Sequence, residues 1–210
     1  MQDFKRLYDA ILNGDAKNAK LITEQALATG TDPMSLVQAG MVPAMAEVGK
    51  RFECNEYFVP ELLLSARAMK AALELMRPLL LAGGARSAGR VVIGTVRGDL
   101  HDIGKNLVSV MLEGSGYDVT DLGVNVPPEQ FVAAVRERSP QIVALSALLT
   151  TTMRAMKETV EALQQAGVRQ QVKVLVGGAP ITQRFATEIG ADGYSESAAN
   201  VADLARQVLA

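Results

Sequence analysis

The apolar residues of this 210-residue chain keep one rhythm up to about residue 82 and another from residue 90 onwards. In the first stretch the period is helical. Phe4, Leu7, Tyr8, Ile11 and Leu12 fall on one face of a first helix, which Asn13-Gly14 stops. Asp15 can cap a second helix that aligns Ala19, Ile22 and Ala26 and ends at Gly30. Asp32-Pro33 reads as a cap followed by proline at the first helical position, where the missing N–H costs nothing. The third helix then aligns Met34, Val37, Met41, Met45 and Val48. A fourth starts at Pro60-Glu61 and aligns Val59, Leu62, Leu63, Ala66, Met69, Leu73 and Met76, with Pro78 expected to kink or end it. Four helices with short links predict a small antiparallel bundle over residues 1–82.

Gly83 to Gly89 is a run of small residues that predicts a linker. After it, short apolar runs alternate with helix-length segments. The runs are 90–96, 117–122, 141–146 and 172–176, with a weak fifth at 193–195. Helices are expected near 103–114, 128–138, 151–166, 181–189 and 198–209. This alternation predicts a parallel sheet covered on both faces. Five strands over residues 90–210 fit the flavodoxin-like (Rossmann-like) order 2-1-3-4-5. The expected fold is therefore an α/β five-stranded parallel sheet domain preceded by an all-α four-helix bundle.

Composition removes several function classes. A formal net charge of -2 and no basic stripe argue against nucleic-acid binding, and the absence of Trp argues against a base-stacking platform. No run of about 18 apolar residues suggests a transmembrane helix. The first residues lack the basic-then-apolar layout of a secretory leader, and one cysteine, Cys54, permits neither an internal disulfide nor a cysteine cluster. A cytoplasmic location and a free thiol are expected.

In open α/β sheets ligands bind beyond the carboxyl ends of the strands, where strand order reverses. The loops there are Arg97 to Gly104 after the first strand, Ser146 to Thr150 after the third, and Gly177-Gly178-Ala179-Pro180 after the fourth. They bring together the single histidine, His101, with a hydroxyl and a glycine pair. Alone, His101 could be a surface or capping residue. Asp99, two positions earlier, can instead hold one imidazole nitrogen and leave the other for a metal. No second histidine or cysteine cluster completes a zinc site. One protein ligand suffices only where a macrocycle fills the metal's other positions, as in haem or a corrin.

Asp99-Leu100-His101-Asp102-Ile103-Gly104 resembles the D-x-H-x-x-G signature of cobalamin-binding domains. The family pattern continues with S-x-L and then G-G. Here 41 residues separate Gly104 from Ser146-Ala147-Leu148, and 28 separate Leu148 from Gly177-Gly178. In the first half, Val48-Gly49-Lys50-Arg51-Phe52, Glu56 to Leu63 and Ser65 to Met69 are similar to the helical cap of methionine synthase and of corrinoid proteins serving anaerobic methyltransferases. Nearly the whole chain is covered.

The resemblance implies a cobalamin or related corrinoid bound base-off, with His101 replacing the cofactor's benzimidazole on cobalt. It implies that Ser146 joins Asp99 and His101 in a relay coupling protonation to the cobalt redox state. Leu148 and Thr150 are expected to line the pocket of the displaced tail, though Thr150 and Thr151 could equally cap a helix. Gly98, Leu100, Asp102, Ile103 and Ala179 complete the loops at the cofactor, and Gly104, Gly177 and Gly178 would let backbone approach it closely. An ordinary turn is the rival reading for the glycine pair. Phe52, Val59 and Leu62 match cap positions over the other corrin face, with plain bundle core as the rival reading. The linker at 83–89 would be the hinge.

The function implied is that of a non-catalytic methyl carrier of one-carbon metabolism. It would work between a donor-side and an acceptor-side methyltransferase and with a reductive activation protein, and the reactivity would belong to the cofactor. Two alternatives share the motif. A cobalamin-dependent regulator should append a helix-turn-helix and a basic face, and this chain shows neither. A mutase small subunit would not need the 80-residue cap. A flavodoxin-like nucleotide binder has no G-x-G-x-x-G or P-loop motif in its support.

Overall fold

A computed structural model describes residues 2–82 and 87–210. The chain forms two compact units that divide at Gly89, with the short segment Glu113–Gly116 grouped with the first. Of the linker expected at 83–89, residues 83–86 lie outside the described residues.

The first unit holds α1 (Gln2–Leu12), α2 (Ala16–Ala28), α3 (Pro33–Leu36), α4 (Val42–Glu53) and α5 (Val59–Ala82). Asp15 caps α2 through the Asn18 N–H at 3.0 Å, and Asp32 caps α3 through the Ser35 N–H at 2.8 Å. Leu7, Ile11, Ile22, Leu36, Met41, Met45, Leu62 and Met76 are buried and form the core. Two hydroxyls close the end of α1, because the Leu12 carbonyl accepts from Tyr57 at 3.1 Å and from Ser65 at 3.0 Å.

Two prolines lie inside the helical stretches with different outcomes. The third helix is interrupted by a π turn, Val37–Met41, between α3 and α4. Pro43 has no N–H and its ring would crowd the carbonyl four residues back. The widened turn accommodates this, since the Val42 N–H donates to Val37 rather than to Gln38. Pro78, in contrast, does not end its helix, and α5 runs on to Ala82.

The second unit is a five-stranded parallel sheet in the order β2-β1-β3-β4-β5. Its strands are β1 (Arg90–Thr95), β2 (Asp118–Asp121), β3 (Ile142–Ser146), β4 (Lys173–Gly177) and β5 (Gly193–Ser195). The helices α6 (Ile103–Gly114), α7 (Pro128–Arg138), α8 (Met153–Gln165), α9 (Gln183–Glu188) and α10 (Val201–Leu209) alternate with them. The inner strands β1, β3 and β4 are buried almost throughout, as expected of parallel strands covered on both faces. Phe131, Val143, Met156, Leu163 and Val174 belong to one such core layer. Beyond the end of β2 the chain stays beside β1. Gly123 and Asn125 adopt positive φ, and Val126 then forms a parallel bridge with Val96. The loops after β1 and β3 thus leave adjacent strands at the place where strand order reverses.

Candidate functional site

Asp99 is the centre of the site. It follows β1, and it is completely buried. Burial alone would push its carboxyl pKa up. That push is outweighed by donors: the Thr152 hydroxyl, the Leu148 N–H, and the N–H and ring of His101 hold it well below the usual carboxylate range. Oδ2 accepts from Thr152 Oγ1 at 2.7 Å, from Leu148 N at 2.8 Å and from Leu149 N at 3.3 Å. Oδ1 accepts from His101 N at 3.0 Å and faces His101 Nδ1 at 2.8 Å. An anion so placed favours the tautomer in which Nδ1 carries the proton, which leaves the Nε2 lone pair available.

The ring itself stands half in solvent, with 50% of its side chain exposed against 0% for Asp99. Nε2 has no hydrogen-bond partner among the described residues. The main chain of His101 is held at both ends: Asp99 takes its N–H, and Thr95 Oγ1 donates to its carbonyl at 2.8 Å. Helix α6, which begins just after His101, is anchored by the buried Lys105, whose ammonium pairs with Asp121 at the end of β2 and donates to Asn106 Oδ1 at 2.7 Å.

Large exposed apolar side chains lie on the same loops and at the same ends of the strands as this histidine. Among the described residues of the sheet unit they are Leu100, Ile103, Val124, Leu148 and Leu149, all beyond the carboxyl ends of β1, β2 and β3. Leu100 and Ile103 are 71% and 72% exposed, which no packing of this unit requires. A rim of this kind marks a ligand surface rather than chance exposure. Among the described residues no three His, Cys, Asp or Glu side chains converge on a metal position. His101 Nε2 therefore stands as a single donor, which would suit a metal whose other positions a macrocycle already fills.

The glycines divide by cause. At Gly104 an added Cβ would meet nothing within 4 Å, so the fold itself does not require glycine there. Gly178 is the opposite: φ is +131°, and a Cβ would lie 1.8 Å from the Ala147 carbonyl oxygen. Its glycine is a packing requirement between the loops after β3 and β4. At Gly177 the nearest atom would be the Ser195 carbonyl oxygen at 3.2 Å, a tight but lesser demand. Asp102 is exposed and accepts from Asn106, Gly98 has φ +83°, and Thr150 and Ala179 are exposed.

One expected role changes hands. The hydroxyl on the Asp99 carboxylate is that of Thr152, not Ser146. Ser146 ends β3, opposite Thr95 and Gly177, with its carbonyl taken by Val96 N–H. Thr152 was legible in principle. Counting from it, Ala155, Met156, Thr159, Val160 and Leu163 complete the buried stripe of α8, so a threonine at that position points inward. Thr95, Lys105 and Asn125 also went unread, because a single polar residue at a strand or helix end carries no periodic signal. In the helical unit Leu62 has no accessible surface and Phe52 and Val59 are half-buried, whereas the neighbouring Phe58 is 61% exposed. Leu62 is buried as a core residue of the bundle would be.

Family models described as B12 binding domains match residues 89–202 and residues 3–77. Trimethylamine corrinoid protein 1 of Methanosarcina acetivorans is 46% identical over 203 residues, covering 96% of this chain and 94% of that protein. A cobalamin-binding protein from Desulfitobacterium hafniense superposes with a TM-score of 0.82 at 33% identity, covering 99% of this chain and 98% of that one. The methanol:cobalamin methyltransferase complex MtaBC from Methanosarcina barkeri contains a chain that superposes with a TM-score of 0.86 at 31% identity, covering 99% of this chain and 80% of its own length. No helix among the described residues is long and apolar enough to cross a membrane.

Proposed function

The chain belongs to the B12-binding family of corrinoid proteins, and from that premise we propose how it holds and serves its cofactor. It binds a corrinoid and carries a methyl group between methyltransferases. When bound, the corrinoid supplies the cobalt centre that takes up and gives up that methyl group.

His101 donates Nε2 to the cobalt from the lower side of the ring, in place of the cofactor's own benzimidazole. The observation that carries this is the asymmetry of the imidazole: Nδ1 is committed to a fully buried carboxylate, while Nε2, on a half-exposed ring, has no hydrogen-bond partner among the described residues. Asp99 fixes the tautomer and aims the ring. Thr152 and the Leu148 amide keep Asp99 ionised and in place. Leu100, Ile103, Leu148 and Leu149 bear on the macrocycle and exclude water from the axial bond. Gly104, Thr150 and Ala179 border the path of the displaced nucleotide tail.

The chain is loaded by one methyltransferase and unloaded by a second, and a reductive activation protein returns it to service after oxidation, all in the cytoplasm. The relatives named for trimethylamine and for methanol support a donor that is a small molecule with a methyl group on nitrogen or oxygen.

The chain has one histidine, which makes the test specific. Untagged protein with ¹⁵N-labelled histidine is loaded with cobalamin and reduced to the paramagnetic cobalt(II) form. The axial nitrogen splitting should change from three lines to two on labelling. A splitting that stays at three lines, as benzimidazole nitrogen would give, refutes ligation by His101.

A further inference from the structure

The loop that carries Asp99 and His101 is held from the side opposite Leu148 and Thr152, by one residue of the loop after β2. Asn125 has φ of +52°, a left-handed conformation uncommon for a residue with a side chain. It makes two bonds to adjacent residues of the β1 loop. Its Oδ1 accepts from the Gly98 N–H at 2.8 Å, and its own N–H donates to the Asp99 carbonyl at 2.9 Å. The pair brackets residues 98 and 99 as a neighbouring strand would, although both segments have left the sheet. The left-handed turn lets one residue present backbone and side chain to the same loop. Immediately after it, Val126 N–H donates to Thr95 at 2.9 Å, so the bracket is continuous with the sheet.

We propose that Asn125 is a positioning residue for the cobalt ligand: it fixes the main chain of Gly98 and Asp99, and so the place from which the Asp99 carboxylate aims the His101 ring. The inference rests on the reading of His101 as that ligand. Asn125 makes no hydrogen bond to His101, and its effect is transmitted through the main chain of Gly98 and Asp99. The carboxylate must meet Thr152, Leu148 and the imidazole within 2.7 to 2.8 Å at once, and a small shift of its backbone breaks that agreement.

Two substitutions separate the bond from the turn. Asn125→Gly keeps the left-handed backbone at no steric cost and deletes the side-chain acceptor. Asn125→Asp keeps both an acceptor and a tolerance for that conformation. Each variant, the wild type and His101→Ala are titrated as purified full-length protein with diaquacobinamide, a corrinoid without a nucleotide base. The visible spectrum then reports imidazole coordination, and exchange of the Gly98 amide is followed by NMR in the same proteins before titration. Loss of one hydrogen bond corresponds to about a three- to tenfold effect. We expect Asn125→Gly to coordinate cobinamide about that much more weakly and to exchange Gly98 faster, and Asn125→Asp to restore both. A merely structural residue would lower the thermal midpoint without the aspartate restoring coordination. Wild-type coordination in Asn125→Gly, or no recovery in Asn125→Asp, overturns the proposal. If wild type and His101→Ala coordinate alike, the ligand reading fails instead, and Gly98 exchange alone decides whether Asn125 holds the loop.

Discussion

Asp99→Asn changes one atom at the centre of the site and should damage both stability and ligation. The carboxylate accepts every bond it makes, whereas an amide must place two donors on one side. In one orientation the carbonyl keeps the His101 contacts, and the NH₂ replaces Oδ2. Thr152 can adapt, because its hydroxyl already reaches the Leu149 carbonyl at 2.9 Å and can accept from the amide. The Leu148 N–H cannot adapt. It would face the NH₂ with no acceptor, at a cost of about 1–3 kcal/mol. The remaining bonds lose their ionic character and roughly half their strength. A total of about 3 kcal/mol is expected. In the flipped orientation the NH₂ donates to Nδ1 instead. The imidazole proton then moves to Nε2, which removes the lone pair that would bind cobalt. The two units of the chain need not unfold as one transition, so the assay is native-state hydrogen exchange of β1 and β3 amides that open only with the sheet. Asp99→Asn should exchange these amides about a hundredfold faster and weaken the histidine-coordinated spectrum, by the share of molecules with the flipped amide. A variant that changes exchange less than fivefold and keeps that spectrum refutes the reasoning.

Other outcomes follow from the same geometry. Because the folded carboxyl of Asp99 is depressed, its stabilisation is fully present above the unfolded carboxyl pKa of about 3.9 and is lost as pH falls towards the folded value; the gap between wild type and Asp99→Asn in sheet-amide exchange should narrow below about pH 4. Gly178→Ala should fail to yield the native sheet unit, or yield it with β3 and β4 amides exposed to exchange, because its Cβ overlaps a backbone carbonyl oxygen rather than a movable side chain. Leu100→Ser should leave thermal stability within about 0.5 kcal/mol, yet weaken corrinoid binding about tenfold in an equilibrium titration, since the side chain is 71% exposed. Leu62→Ala should destabilise the helical unit by about 2–4 kcal/mol, measured by exchange of the α1 and α5 amides.

The fold was legible because its signals repeat. Alternating strand and helix over residues 90–210 leaves few topologies, and the expected order of strands is the order observed. The prolines were harder. Pro43 follows a π turn, and Pro78 lies inside a helix that it does not end. At the site, Asp99 and His101 were readable from spacing, because two positions suffice to bring a carboxylate to an imidazole. The hydroxyl was assigned to Ser146, the residue at the end of β3, but Oδ2 faces the start of α8, and Thr152 reaches it. That distinction depends on where the loop after β3 turns back. Asn125 lay beyond reach for the same reason: its value comes from a left-handed turn beside a loop 26 residues earlier in the chain.

The donors that keep Asp99 ionised arrive from two places far apart in the sequence. His101 is two residues away, but Leu148 and Thr152 are 49 and 53 residues downstream. A ribosome that has released the chain only as far as α7 has made Asp99 without the groups that let it leave water. Until α8 emerges, this carboxylate must stay hydrated and β1 cannot settle its final loop. The imidazole thus acquires its fixed orientation only late in synthesis, after β3 has taken its place beside β1 and α8 has followed it.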